Sequence, residues 1–157
     1  MFFRAFVAFI ALPGIGAVIL PLFIAYCDPW SGSFWLPGLF VLGLGALVLI
    51  WCARDFYVSG KRTLAPWDPP NELVVIGLYR FVRNLMYMGV LLVVFGWCLY
   101  FWSPLLALYE VILATGFHIR VVRNQEPSLK KKFGGQWELY EREVPRWVPR
   151  VRPRKEP

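Results

Sequence analysis

Two short clusters in this 157-residue chain carry side chains able to do chemistry. The first is Tyr79, Arg80, Arg83 and Asn84, directly ahead of a long apolar run. Asn is favoured at a helix N-cap, and the free N–H groups of a helix start attract anions. Arg80 or Arg83 could then clamp a carboxylate with a fork of donors. Arginines in such a place also snorkel to lipid headgroups, and this cluster alone leaves both readings open. The second cluster is His118, Arg120, Arg123, Gln125 and Glu126, within nine residues. A spacing of four puts His118 and Val122 on one helix face, with Gln125 and Glu126 a turn further on. Between positions 104 and 119, Glu110 and His118 are the only charged or histidine side chains. Ionisable groups inside an apolar span are functional candidates by default. Glu126 followed by Pro127 predicts that the helix stops or kinks there.

The elements that must hold these clusters are apolar. Hydrophobic residues make up 58% of the chain and charged residues 17%, with a mean hydropathy of +0.52. A soluble domain carries about 25% charge, so an ordinary soluble domain and a disordered chain are both excluded. Ala5–Cys27, Pro29–Ala53 and Asn84–Tyr109 contain no charged residue. A spanning helix needs about 20 apolar residues, so the first two runs read as one helix each. The third is too long for one, and Trp102-Ser103-Pro104 divides it. The reading is an all-α integral membrane protein with four transmembrane helices near 5–26, 35–57, 85–101 and 104–122. Residues 1–150 form one membrane-embedded domain, and 151–157 form a basic tail. The segment near 5–26 reads as a retained helix, since its apolar run exceeds that of a signal peptide and no A-x-A site follows. The third helix, at about 25 Å, is shorter than the roughly 30 Å hydrocarbon core. It is expected to form a short hairpin with the fourth, leaving a cavity that water or a cofactor can reach.

Charge sets the orientation. Residues 1–58 hold two basic and two acidic groups, whereas 120–157 hold eleven basic and five acidic ones. Arg4 precedes the first helix, Lys61, Arg62, Arg80 and Arg83 lie between the second and third, and no Lys or Arg lies at 28–34 or 102–103. The positive-inside rule puts both termini and the central loop in the cytoplasm. The basic tail then faces anionic lipid, and no fold signature points to nucleic acid. Lys130-Lys131-Lys132 reads as attraction to that surface. Leu129, Phe133, Trp137 and Tyr140 recur at spacings of three and four as one apolar stripe of an amphipathic C-terminal helix, lying on the membrane or capping the hairpin. In the central loop, Ala65-Pro66-Trp67-Asp68-Pro69-Pro70 is a stiff, non-helical crossing. Cys27, Cys52 and Cys98 form no CxxC pair and read as small packing residues, with no metal site expected. Gly43-Leu44-Gly45 lies in an apolar helix, where glycines let helices approach closely.

Two motifs taken together resemble a known family. Gly77-Leu78-Tyr79-Arg80-Phe81-Val82-Arg83-Asn84-Leu85-Met86-Tyr87-Met88-Gly89 is similar to the R-[HN]-P-x-Y-x-G signature of the membrane-embedded isoprenylcysteine carboxyl methyltransferases and phospholipid methyltransferases. Gln125-Glu126-Pro127-Ser128-Leu129, then Phe133-Gly134 and Val144-Pro145-Arg146, is similar to their E-E-x-x-L, F-G and V-P-R ending. The resemblance covers about residues 60–150. It implies methyl transfer from S-adenosylmethionine, without a metal, to a lipid or lipid-linked acceptor such as a phospholipid amine or a prenylcysteine-like carboxylate. It further implies a cofactor pocket of Tyr79, Arg83, Asn84, Tyr87, Gly89, His118, Gln125 and Glu126, with Arg83, Glu126 and His118 as the catalytic set. Arg83 suits the cofactor carboxylate, Glu126 its ammonium or a ribose hydroxyl, and Tyr87 its adenine or sulfonium. Leu85 stands where the family has Pro, and Gln125 where the first Glu usually is. Those departures keep open a second reading, a degenerate member acting as a membrane interaction protein. A transporter is disfavoured, because the ionisable residues gather at one surface and do not line a path across.

Overall fold

The computed structural model describes residues 14–32, 34–59, 73 and 75–152. Arg4, the central loop with its Ala65–Pro70 motif, and the last five residues lie outside them. Every regular element among the described residues is helical. Helix α1 is Leu20–Cys27, preceded by a wide π turn at Ile15–Ile19. Helix α2 is Pro37–Ser59, and a 3₁₀ turn at Gly77–Arg80 leads to α3, Leu85–Phe101. Helix α4, Pro104–Arg120, passes through a second π turn, Val121–Gln125, into α5, Glu126–Phe133; α6 is Gly135–Glu143.

Two of these helices are long and apolar enough to cross a membrane: Pro37–Asp55, and the continuous Pro104–Phe133. Only 17% and 11% of their apolar windows are buried inside the protein, so neither is the core helix of a soluble domain. Phe40, Leu47, Ile50, Val111 and Ile112 stand exposed along them. A belt of that extent calls for lipid. Ile15–Cys27 and Leu85–Phe101 are shorter apolar helices.

Helices α2 and α3 run antiparallel in close contact, because small residues on each meet backbone on the other. A Cβ on Gly96 would lie 2.6 Å from the Leu42 backbone nitrogen, and one on Gly45 would lie 2.7 Å from that of Val93. Gly38 meets Tyr100, and Gly89 meets Leu49 and Val48. The positions 38, 42, 45 and 49 face 100, 96, 93 and 89, which is the alternating three–four spacing of a packed helix seam. Of the pair singled out in the sequence, Gly45 lies in this seam, whereas Gly43 has open space beside it.

Prolines shape the other helices. Pro21 and Pro127 each follow a π turn directly, and the residue before each proline bonds five residues back: Leu20 N to Ile15 O and Glu126 N to Val121 O. A proline has no N–H, and its ring crowds the carbonyl four residues earlier. The wider turn opens room for that ring. The helix therefore does not end near 122, as expected from the sequence; of the stop or kink expected at Glu126-Pro127 there is no stop but a local π turn, and the helix continues to Phe133. At Pro21 the loosened carbonyls are taken by side chains of neighbouring helices: Trp97 Nε1 donates to Ala17 O at 3.0 Å and the Tyr109 hydroxyl to Gly16 O at 2.7 Å.

The expected single amphipathic helix over 129–140 is two helices, though its four stripe residues do share one apolar cluster. Gly134, at φ +51°, ends α5 and starts α6, so two short helices meet at a bend. Trp137 and Tyr140 are buried against Val144, with Leu129, Phe133, Leu73 and Val75 around them. This packing agrees with the capping alternative of the sequence reading. At the opposite end Asp28, buried, accepts from the Ser103 hydroxyl and from Leu105 N at 3.3 Å, while Ser103 Oγ accepts from Leu106 N at 3.2 Å. A carboxylate thus sits on the start of α4, where the helix dipole favours it.

Candidate functional site

Asn84 occupies the N-cap position of α3, but its side chain caps nothing. Buried, it donates instead from Nδ2 to the carbonyl of Arg146 at 3.2 Å. The cause is a strap, residues 144–150, laid across residues 81–84. Arg83 N donates to Pro145 O at 3.0 Å, and Arg150 N to Phe81 O at 3.1 Å. The strap follows from α6: the Tyr140 hydroxyl donates to Tyr79 O at 2.8 Å, fixing the end of that helix beneath the 3₁₀ turn.

Under the strap lies an ion-pair network. Arg83 Nη1 is 3.1 Å from Glu126 Oε1 and 3.3 Å from Glu141 Oε1, and its guanidinium lies 5.5 Å from the centre of the Trp137 ring. Arg146 forks onto Glu126, Nε to Oε1 and Nη2 to Oε2, each at 2.7 Å. Two cations balance two carboxylates. The Arg83 and Glu126 side chains are only 8% and 12% exposed, which is tolerable because each is paired. The hydrogen bonds to Glu126 lift the Arg146 guanidinium above its already high value, so this partner stays charged. The π turn places the acid: without it, Pro127 would break the helix that carries Glu126 here.

Two buried polar atoms at this site have no partner among the described residues, Arg83 Nε and Gln125 Oε1. One is a donor and the other an acceptor. Tyr87, buried on the next turn of α3, sets its ring 4.6 Å from that of Phe117, the neighbour of His118. His118 is exposed, and its Nδ1 accepts from Trp147 Nε1 of the strap at 3.1 Å. A neutral ring bonded in that way carries its proton on Nε2.

Of the residues expected at the site, Arg83 and Glu126 are joined directly, and Asn84 is linked to them through Arg146. Gln125 adjoins them, and His118 and Tyr79 are tied in through Trp147 and Tyr140. Tyr79 is buried, and burial pushes its phenol well above the ordinary value, so it stays neutral. Gly89 is not brought to the cluster; it packs on α2. Sequence reasoning missed Glu141, Arg146, Trp137 and Trp147 as members. The Val144-Pro145-Arg146 motif was the available signal for Arg146. Nothing local marks Glu141 among the charges of an exposed helix.

The family model described as phospholipid methyltransferase matches residues 35–136. That span runs from the approach to α2 into α6 and includes Arg83 and Glu126 but not Glu141, Arg146 or Trp147. No curated protein and no solved structure matches the chain.

Proposed function

Because this chain belongs to the phospholipid methyltransferase family, we propose that it is a membrane methyltransferase using S-adenosylmethionine to methylate a lipid or lipid-linked acceptor, a phospholipid amine or a prenylcysteine-like carboxylate. The observation that carries the reading is the meeting of Arg83 and Glu126, 43 residues apart in sequence, in one buried network at the start of α3. Residues 1–150 act as one domain with four spanning helices, both termini and α6 on the cytoplasmic side, and 151–157 as a basic tail. The cofactor approaches from the cytoplasm and the lipid sideways from the bilayer.

The residues present fit the cofactor. An amino-acid carboxylate would satisfy Arg83 Nε, and a hydroxyl or amino group would satisfy Gln125 Oε1. Asn84 and Glu126 line the same corner, and the Tyr87–Phe117 pair offers ring faces for an adenine or a sulfonium. When bound, the group supplies a methyl activated by a positively charged sulfur. The protein's part is positioning, since an in-line displacement depends on the alignment of its two reactants. Arg83 and Glu126 orient the donor, His118 presents an Nε2–H donor at the rim, and the strap holds water away from the corner.

The test is binding of S-adenosylmethionine to the detergent-purified protein by calorimetry, beside Arg83→Ala and Glu126→Gln. Micromolar binding by the natural chain, lost in both variants, is the expected result. A folded protein with no binding would overturn the proposal. One observation favours the second reading, a degenerate member with an interaction role: both Glu126 oxygens already hold arginines, and Gln125 carries no charge. The same titration separates the two.

A further inference from the structure

A second buried polar group lies behind the site. Val82 and Arg83 are consecutive, yet Val82 packs with Cys52, Tyr79 and Leu85 on the α2 side, while Arg83 turns to Glu126. On that α2 side, Asp55 is only 5% exposed, and its Oδ2 is buried with no hydrogen-bond partner among the described residues. Gly77, at φ +55°, lies against this carboxylate, and any side chain there would collide with it. A buried, unpaired carboxylate is costly unless a ligand meets it. Asp55 is also the last residue of the apolar stretch Pro37–Asp55. Its neighbour Arg54 is exposed and lies 6.0 Å from the centre of the Trp51 ring.

Glu110 Oε2 is likewise buried with no hydrogen-bond partner among the described residues, but it lies far from this end, and the carboxylates at the site and the histidine are committed. Glu126 and Glu141 are paired with arginines, and His118 Nδ1 is taken by Trp147. Glu110 lies sixteen residues before Glu126 on the same continuous helix, about 24 Å away along its axis.

We propose that Asp55 is the acceptor-side acid–base residue: it receives the ammonium of an amine-bearing lipid headgroup and takes the proton that the nitrogen must lose before it attacks. The inference rests on the methyltransferase reading above. The ammonium proton moves to Asp55 Oδ2, the freed nitrogen pair forms the new N–C bond, and the C–S bond breaks with its electrons going to sulfur. A neutral thioether leaves, and Asp55 later returns the proton to water. The groups facing Asp55 do not compete for that proton. Burial holds the Tyr79 phenol well above its ordinary value, Tyr140 donates its hydroxyl to the Tyr79 carbonyl, and Arg54 is turned onto Trp51.

The experiment uses the full chain in mixed micelles containing phosphatidylethanolamine, with methyl-labelled S-adenosylmethionine, from pH 6 to 9.5. Cofactor binding is measured in parallel by calorimetry. Asp55→Asn is expected to keep cofactor affinity within about threefold and to lose transfer at pH 7 by about 100-fold or more. Its deficit should shrink as pH rises, because the free-amine fraction grows about tenfold per pH unit. Gly77→Ala, which drives a methyl group against the carboxylate, should show the same loss of transfer with binding retained. Asp55→Asn activity near that of the natural chain, or a loss equal at all pH values, overturns the inference. So does a natural chain that binds cofactor but methylates no amine. If both variants lose cofactor binding, Asp55 is a structural residue and the inference fails while the methyltransferase reading stands. A natural chain that binds no cofactor overturns both.

Discussion

The guanidinium of Arg146 meets the carboxylate of Glu126 in a two-bond fork, 2.7 Å at each bond, joining the C-terminal strap to the turn that follows the second π segment. Charge-assisted forks of this kind are among the stronger protein hydrogen bonds. Arg146 is also the only strap residue whose side chain reaches the network that holds Arg83.

Arg146→Gln should therefore destabilise the protein by about 1–3 kcal/mol, and Glu126→Gln by a comparable amount. The double variant should cost less than the sum of the two, because removing one partner leaves the other charge unpaired. Thermal unfolding in detergent of the natural chain and the three variants measures the coupling. Strict additivity would show that the fork contributes nothing.

The helix seam makes an opposed pair of predictions. Gly96→Ala places a Cβ 2.6 Å from the Leu42 backbone, which cannot swing aside, and should cost about 1–3 kcal/mol. Gly43→Ala meets nothing within 4 Å and should be neutral or stabilising by up to about 1 kcal/mol. Unfolding midpoints that move alike for the two would contradict the seam described above.

Trp97 and Pro21 are linked through the Ala17 carbonyl. Trp97→Phe leaves that buried acceptor without the indole N–H and should cost about 1–3 kcal/mol. In that background Pro21→Ala restores a backbone N–H four residues on, and it should recover part of the loss. A Pro21→Ala change that deepens the loss would show that the proline matters for another reason.

Asp28 supplies a pH dependence. The Ser103 hydrogen bond, assisted by the N–H groups of Trp30 and Leu105, holds its carboxyl below the ordinary carboxylate range against the opposing effect of burial. The folded state therefore binds the proton less readily than the unfolded state. Its stabilising contribution is complete above the unfolded value, about pH 4, and disappears as pH falls through the depressed folded value. Unfolding followed from pH 6 to 2 should show this acid loss in the natural chain and a flatter profile in Asp28→Asn. Parallel profiles would rule out the link.

The sequence by itself determined the helical, apolar character of the chain and the family to which it belongs. Uncharged runs of more than twenty residues leave the backbone no economical state but helix, and the Arg83-Asn84 and Gln125-Glu126-Pro127 motifs are local patterns readable without a fold. It also marked Trp102-Ser103-Pro104 as a turn, and there Ser103 and Pro104 start α4. Tertiary structure decided the partners. Asn84 has the chemistry of a helix cap but donates to the Arg146 carbonyl, because the strap reaches it first. Pro127 has the chemistry of a helix stop but is carried through, because a π turn opens room for its ring. Arg146 joins Glu126 across 20 residues, Arg83 joins it across 43, and Asp28 reaches Ser103 across 75. Periodicity and propensity report interactions within four residues along one helix. Which distant donor satisfies a buried acceptor depends on how the helices cross and where the strap lies, and those are set only when the whole bundle packs.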